Sequence, residues 1–346
     1  MKNQNDRAVL FLICLAPGFV AAPVYADSQV GVLTAVEGGV QIFDHPGQEM
    51  KGPAPHVKYQ NEYYSVRSAK VGDVVENGNI VQTATDGRAR VVYENGDQLN
   101  LGQGTAYRVS WQRGKKGRLY AAEKAKPDAT KTSAQLELVY GKLRALVEKG
   151  GPRSGLKLKT RSATMGVRGT DFFVSESHEQ AVTEVSVLRG EVAVTPQATP
   201  QQTISVKKGF TAEVPVTAKT VDAAPGAVAP KVELRATTKT ELTDIQAESM
   251  VKQDLAKLNE KSELAAKVQG LEKQALTMTV TDIKRHDPEL YAQMEQNPAT
   301  TTDAVNAQVT GRLLKTAPEG PSRIKPSTRQ LKDGEDAYQK YFKPQD

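Results

Sequence analysis

The sequence predicts an α+β protein whose two parts are segregated along the chain. An N-terminal all-β domain of short strands, a sandwich or a short solenoid, is followed by a helical C-terminal region and a disordered tail. Three observations carry this expectation. First, Asn77-Gly78, Asp86-Gly87 and Asn95-Gly96 place turn glycines nine residues apart, with short β-branched runs between them. Glycine accepts the positive φ of a tight turn, and Asn or Asp before it tolerates the same region, so such pairs punctuate short strands. Second, residues 221–230 carry Pro225 and Pro230 without any apolar period, and beyond them apolar residues recur at helical steps of three and four. Third, residues 316–346 are polar and proline-bearing, the composition of a segment that buries too little to order itself.

The boundaries that follow are a signal peptide over residues 1–26, an all-β domain over 27–219, an Ala/Pro linker over 220–236, a helical region over 237–315 and the tail over 316–346. At 346 residues the chain has room for one large or two ordinary domains. Aromatic residues make up only 5% and mean hydropathy is −0.48, so one solid core with soft flanks is expected. Lys2 and Arg7 precede the apolar residues 8–19, interrupted only by Pro17-Gly18, and Val24-Tyr25-Ala26 supplies small residues before Asp27. That is the pattern of a cleavable secretory signal ending at Ala26, too short and too broken for a membrane anchor. The lone Cys14 leaves with it, so the mature chain has no disulfide and no thiol chemistry. A periplasmic or secreted location follows, with no transmembrane segment in the mature chain.

In chain order, residues 30–36 and 40–43 read as a hairpin about Glu37-Gly38-Gly39. Residues 44–70 are a polar excursion whose Tyr59, Tyr63 and Tyr64 pack back onto the sheet, since tyrosine is commonly half-buried. Strands follow over 80–83, 89–93, 98–101 and 105–110. Residues 111–134 then break the pattern with a basic loop containing Arg113, Lys115, Lys116 and Arg118. Strands resume with Leu136, Leu138 and Tyr140 on one face. Further on, Leu156 and Leu158 alternate with Lys157 and Lys159, giving one apolar and one cationic face that Arg161 extends. Residues 170–174 and 183–188 form a hairpin with a polar loop, and 191–194 add a third strand after the Arg189-Gly190 turn. Two more strands, 203–206 and 210–214, flank Lys208-Gly209. Beyond the linker, Thr238 with Glu241 fits a capping box, and Leu242, Ile245, Val251, Leu264 and Val268 lie at helical spacing. Asp287-Pro288-Glu289 is a second helix start, Asn297-Pro298 its stop, and a weaker helix covers 303–315. Tyr338, Tyr341 and Phe342 are the one sticky spot in the tail.

The order of several motifs resembles the FecR domain of bacterial envelope proteins. They are Val71-Gly72-Asp73-Val74-Val75, Glu94-Asn95-Gly96-Asp97-Gln98-Leu99, Gly141-Lys142-Leu143-Arg144, Gly166-Val167-Arg168-Gly169-Thr170-Asp171-Phe172 and Val187-Leu188-Arg189-Gly190-Glu191-Val192. The resemblance implies an all-β extracytoplasmic domain used for protein interaction and signal relay, which in iron uptake couples outer-membrane receptors to a cytoplasmic sigma factor. This chain adds a helical tail of its own and shows no cytoplasmic helical segment followed by an internal membrane span, so no sigma factor is expected to bind it directly. The structural motif is Gly166, Arg168, Gly169, Thr170, Asp171 and Gly190. Arg168, flanked by glycines, is expected to reach inward to a carboxylate, with Asp171 and Glu184 the nearest candidates.

No catalytic, cofactor or metal site is expected. The four histidines, His45, His56, His178 and His286, fall in no HxxxH or HExxH arrangement, and neither a Gly-x-Ser-x-Gly elbow nor a phosphate loop occurs. The leading reading is a non-enzymatic exported protein whose partner is another envelope protein. The alternative is a binder of anionic glycan or lipid head groups through Arg113, Lys115, Lys116 and Arg118 of the basic loop and Lys157, Lys159 and Arg161 of the cationic face. Nucleic acid is excluded as a partner by export and by the lack of any recognition motif.

Overall fold

A computed structural model describes residues 31–93, 96–112, 133–148, 156–167, 169–216, 231–252, 262–324 and 328–345. The proposed signal peptide and the basic loop with Arg113, Lys115, Lys116 and Arg118 lie outside the described residues, as does Arg168.

The strands are β1 (Gly31–Glu37), β2 (Val40–Gly47), β3 (His56–Tyr59), β4 (Glu62–Ser68), β5 (Val74–Val75) and β6 (Ile80–Thr83). They continue with β7 (Arg88–Tyr93), β8 (Gln98–Leu101), β9 (Thr105–Gln112), β10 (Ser133–Leu146), β11 (Leu156–Lys159) and β12 (Ala163–Val167). Then come β13 (Asp171–Ser177), β14 (Val182–Arg189), β15 (Glu191–Pro196), β16 (Ile204–Lys207), β17 (Phe210–Pro215) and β18 (Glu233–Ala236). Helices α1 (Lys239–Ser249), α2 (Glu263–His286), α3 (Pro288–Gln296), α4 (Thr302–Leu314) and α5 (Thr328–Tyr341) lead to β19 (Phe342–Gln345). The α+β layout is the one the sequence predicts.

The strands pair into two sheets that face each other. The first runs β5-β1-β7-β8-β10-β13-β14-β17-β18 and is antiparallel throughout. The second runs β19-β3-β4-β2-β6-β9-β10-β11-β12-β15-β16, with β10–β11 its one parallel pairing. β10 belongs to both: residues 133–140 pair with β9 and residues 141–146 with β8 and β13. The strand changes sheet at Gly141, whose φ is +92° and where a β-carbon would stand 2.5 Å from the Gly104 carbonyl oxygen. Only glycine fits such a corner without moving backbone. Between the sheets lies an aliphatic core that includes Leu33, Ile42, Val91, Leu143, Val174 and Val192, all buried. Each such side chain contributes about 1.5–3 kcal/mol on leaving water.

Several turns that read as hairpins are corners between sheets. β1 pairs with β5 and β7 while β2 pairs with β4 and β6, so Gly38-Gly39 sends the chain across the core instead of back along the same sheet. Arg189-Gly190 does the same between β14 and β15, which pair with different neighbours, so the expected antiparallel meander is a hairpin followed by a crossing. A glycine at positive φ serves either geometry, and local sequence does not distinguish them.

Both outer faces of the sandwich are covered by the C-terminal half of the chain. Helices α1 to α4 lie on the first sheet and share a small core of Phe173, Leu188, Leu242, Ile245, Ile283 and Val305. The capping box at the start of α1 is formed: Glu241 N–H donates to the Thr238 hydroxyl at 3.2 Å, and Thr238 N–H donates to the Glu241 carboxylate at 3.0 Å. Asp287 caps α3 with Pro288 in its first turn, as its sequence predicts. Leu264 remains exposed on α2, whereas Val268 is buried.

Two segments depart from expectation. Residues 233–236, inside the expected linker, form the strand β18 against β17. The expected disordered tail is ordered over α5 and β19. β19 pairs with β3, and Phe342 is buried against Phe43, with ring centres 4.9 Å apart, and against Tyr59 at 5.1 Å. Tyr341 stacks on Tyr140 at 6.3 Å. One aromatic anchor with its neighbours outweighs a polar composition, because Phe and Tyr each bury a large area. Tyr59 and Tyr64 are buried in the same cluster, so the polar excursion does pack back onto its sheet.

Candidate interaction surfaces

The glycine-bearing motif is a pair of crossed corners. Between β12 in the second sheet and β13 in the first the described corner residues are Gly169 and Thr170, and Gly190 carries the chain back from β14 to β15. The two corners touch: a β-carbon on Gly190, at φ +82°, would meet the Gly169 carbonyl oxygen at 2.7 Å and the Thr170 methyl at 2.9 Å. Thr170 also accepts the Val147 N–H at 2.9 Å. Gly166 sits one residue inside β12, opposite Ala193 of β15. The motif therefore fixes how the chain switches sheets.

Neither carboxylate proposed for Arg168 is free to take it as sole partner. Asp171 is gripped by Arg144, whose Nε donates to Oδ1 at 2.8 Å and whose NH2 donates to Oδ2 at 2.7 Å, with both side chains buried. Glu184 belongs to a cluster around Arg235, which it meets at 3.2 Å, with Glu213 at 2.8 Å and Glu241 at 2.7 Å. Burial, reinforced by Glu213 and Glu241 and opposed by Arg235, raises the Glu184 pKa to about 7.

Arg144 was missed as a functional residue at the sequence level. Its remaining donors reach across to the helices: the Gln246 carbonyl of α1 at 3.3 Å, and the Thr310 hydroxyl and Asn306 backbone carbonyl of α4 at 3.4 and 3.3 Å. It is one of a row of buried cations on the outer face of the first sheet. Arg90 of β7 meets Glu272 of α2 and Asp303 of α4; burial works to lower its pKa, but the two carboxylates outweigh that and hold it above the ordinary value. Arg189 of β14 meets Asp282 of α2 at 2.6 Å. Lys142 of β10 lies 3.8 Å from Glu248 of α1, and burial lowers its pKa despite that neighbour. At these contacts the cations stand on the sheet and the carboxylates on the helices. The signal was present in β10, where Lys142 and Arg144 alternate with apolar Leu143 and Ala145 and so project away from the core.

The other face carries a groove of about 780 Å3 over the second sheet, bounded by β3, β10, the β11–β12 turn, α5 and β19. Lys159 and Arg161 line it, together with Lys58, Lys340 and Lys343, which the sequence did not single out. Arg161 is already engaged, with Nε donating to Glu176 at 2.6 Å and NH2 to the Ser177 carbonyl at 2.7 Å. Lys157 is exposed on β11 but does not line the groove. Behind the rim, Lys340 donates to His178 Nε2 at 2.8 Å; burial, Lys340 and Arg161 together lower the His178 pKa. Among the described residues no group of three His, Cys, Asp or Glu is placed to hold a metal ion, and no helix is long and apolar enough to cross a membrane.

Residues 79–193, which span the crossed corners and Arg144, match the model of the FecR protein family. The chain carries a FecR domain. The match opens at β6 and closes within β15, and strands on both sides of it pair into the same two sheets. No curated protein matches the chain. Two crystal structures of a putative anti-sigma factor from Parabacteroides distasonis ATCC 8503 are similar to it at 17% and 16% identity, each with a TM-score of 0.33 and covering 48% of this chain. The chain spans 62% and 63% of those two chains, less than two thirds of either.

Proposed function

We propose that this is a non-enzymatic, exported FecR-domain protein that acts as a protein-interaction and signalling module in the bacterial envelope. Residues 1–26 serve as the export signal, 27–219 as the FecR-like unit and 237–315 as its helical partner. The observation that carries the interaction reading is the row of buried cations on the first sheet, each answered by a carboxylate or polar group from α1, α2 or α4. A sheet face with this charge pattern is built to recognise an acidic helical surface, here supplied by the same chain. The charged residues in and beside the motifs support a non-catalytic role, because Arg144, Asp171, Glu184 and Arg189 are committed to holding strands and helices together.

The test uses the full chain expressed from Met1 in a Gram-negative host. Fractionation and N-terminal sequencing should find it in the envelope beginning at Asp27. Affinity capture after in-cell cross-linking, washed at high salt, should retain one defined envelope protein. A chain left in the cytoplasm with Met1 intact would defeat the export reading. An exported chain that retains nothing above an unrelated exported control would defeat the interaction reading.

A further inference from the structure

We propose that the groove over the second sheet is a binding site for an acidic oligosaccharide, a chain of sugar rings bearing carboxylate or phosphate groups. The proposal is independent of the protein-interaction reading, which rests on the opposite face of the sandwich.

Charge is the first argument. Lys58, Lys159, Lys340 and Lys343 line one groove, and among the described residues none of the four makes a salt bridge. The one carboxylate on the groove lining already has a cation partner. Glu137, opposite Lys159 in the β10–β11 register, is held by Arg108 at 2.7 Å. Lys343 of β19 lies directly across from Lys58 of β3. Like charges at directly opposed positions of an antiparallel pair are unfavourable, so the groove carries a local electrostatic conflict that an anion would relieve. Behind the wall, burial first and then Lys340 and Arg161 lower the His178 pKa against Asp333 and Asp336, so the cations there add to the positive side of the balance.

Size and side-chain chemistry narrow the ligand. A volume of about 780 Å3 falls within the range of about 300–1,000 Å3 typical of small-ligand sites and far exceeds a single inorganic anion. Three glutamines on the lining direct their N–H groups at the protein. Gln60 donates to the Tyr59 hydroxyl at 3.2 Å, Gln197 to the Thr160 carbonyl at 2.7 Å and Gln345 to the Pro344 carbonyl at 2.8 Å. Each keeps its carbonyl oxygen as an acceptor, which suits ligand hydroxyls. Cations for the acidic groups and amide oxygens for the hydroxyls together describe an acidic sugar. An acidic peptide fits less well. β19 is the sheet edge that borders the groove, but Pro344 removes a main-chain donor from it, and proline blunts an edge against strand addition.

The test is calorimetric titration of the full mature chain with an oligogalacturonate of six residues, beside maltohexaose, a glutamate hexapeptide and phosphatidylglycerol vesicles. The variants are Lys58→Gln with Lys343→Gln, and, as a charge-matched control on the opposite side, Lys267→Gln with Lys273→Gln on α2. Oligogalacturonate should bind in low salt and weaken at least tenfold in the groove variant while the control matches the parent; maltohexaose should not bind. The groove variant should also melt no lower than the parent, because it removes the opposed lysines. Equal weakening in both variants would reduce the binding to net charge and overturn the site. Equal or better binding of the glutamate peptide, or binding to vesicles alone, would overturn the ligand class. No binding of oligogalacturonate in low salt by a folded parent would overturn the proposal outright.

Discussion

Replacing Arg144 with methionine tests whether one guanidinium joins the FecR sandwich to its helices. The substitution keeps a long side chain in the space but leaves Asp171, 1% exposed, as a buried carboxylate without its two charged donors. Removing one partner of a buried pair costs about 3–5 kcal/mol. The three longer contacts to Gln246, Asn306 and Thr310 add at the low end of about 0.5–1.5 kcal/mol each. A loss of about 4.5–6.5 kcal/mol is therefore expected, a large share of the roughly 5–15 kcal/mol that holds a typical domain together. Asp171→Leu alone should cost a similar amount, because it strands the arginine. The double variant, with neither charge present, should recover most of the loss and lie within about 2 kcal/mol of the parent. Urea denaturation followed by circular dichroism, with parent, both single variants and the double variant compared at one slope, gives the coupling directly. Additive losses, or an Arg144→Met loss below about 1 kcal/mol, would refute the argument.

Three other outcomes follow from the same geometry. Glu184 has a folded pKa of about 7 against an ordinary value of 4.5, so the native state binds a proton that the unfolded chain releases in between. Stability should fall as pH rises from 4.5 through 7, by up to about 3 kcal/mol, and Glu184→Gln should flatten the melting curve against pH; an unchanged slope would count against the burial of that carboxyl. Gly190→Ala forces a side chain into positive φ and onto the Gly169 carbonyl and should cost about 2–4 kcal/mol, whereas Gly270→Ala, with nothing within 4 Å inside α2, should gain about 0.5–1 kcal/mol; calorimetric melting that moved both the same way would contradict the corner. Phe342→Ala should cost about 3–5 kcal/mol locally and raise amide hydrogen exchange over residues 328–345; protection equal to the parent would show that the tail is held some other way.

Much of this architecture was legible because it is written in short-range chemistry. The hairpin of β13 and β14, the capping box at Thr238 and Glu241, and the Asp287-Pro288 start of α3 each follow from residues a few positions apart. What escaped involves partners far apart in sequence. Gly38 and Gly190 look like hairpin glycines, and only the strands on either side, pairing elsewhere, make them corners. The tail looked disordered because its average composition is polar, yet Phe342 finds Phe43 and Tyr59 nearly three hundred residues earlier. The cationic strand face was visible at Lys157, Lys159 and Arg161, but three of the lysines that complete its groove come from β3, α5 and β19. A pattern along one strand shows which side is charged without showing what lies opposite.

The two coverings of the sandwich obey different physics. Over the second sheet, α5 and β19 are held by the β19–β3 ladder, by Asp333, which accepts from the Ser177 hydroxyl and the His178 and Glu179 N–H groups, and by aromatic burial, the one of these that is non-directional. Over the first sheet, Arg90, Arg144 and Arg189 require their partners on α2 and α4 to stand where they do, since sliding α2 by one turn would take Glu272 and Asp282 away from two buried cations at once. Buried pairs of this kind add modest net stability relative to apolar packing, because desolvation offsets the attraction. They make the wrong arrangement costly instead. The helical region is thus locked in register on the FecR sheet by charge, and a partner able to replace it there would need carboxylates at the same positions as well as an apolar stripe to meet Phe173 and Leu188.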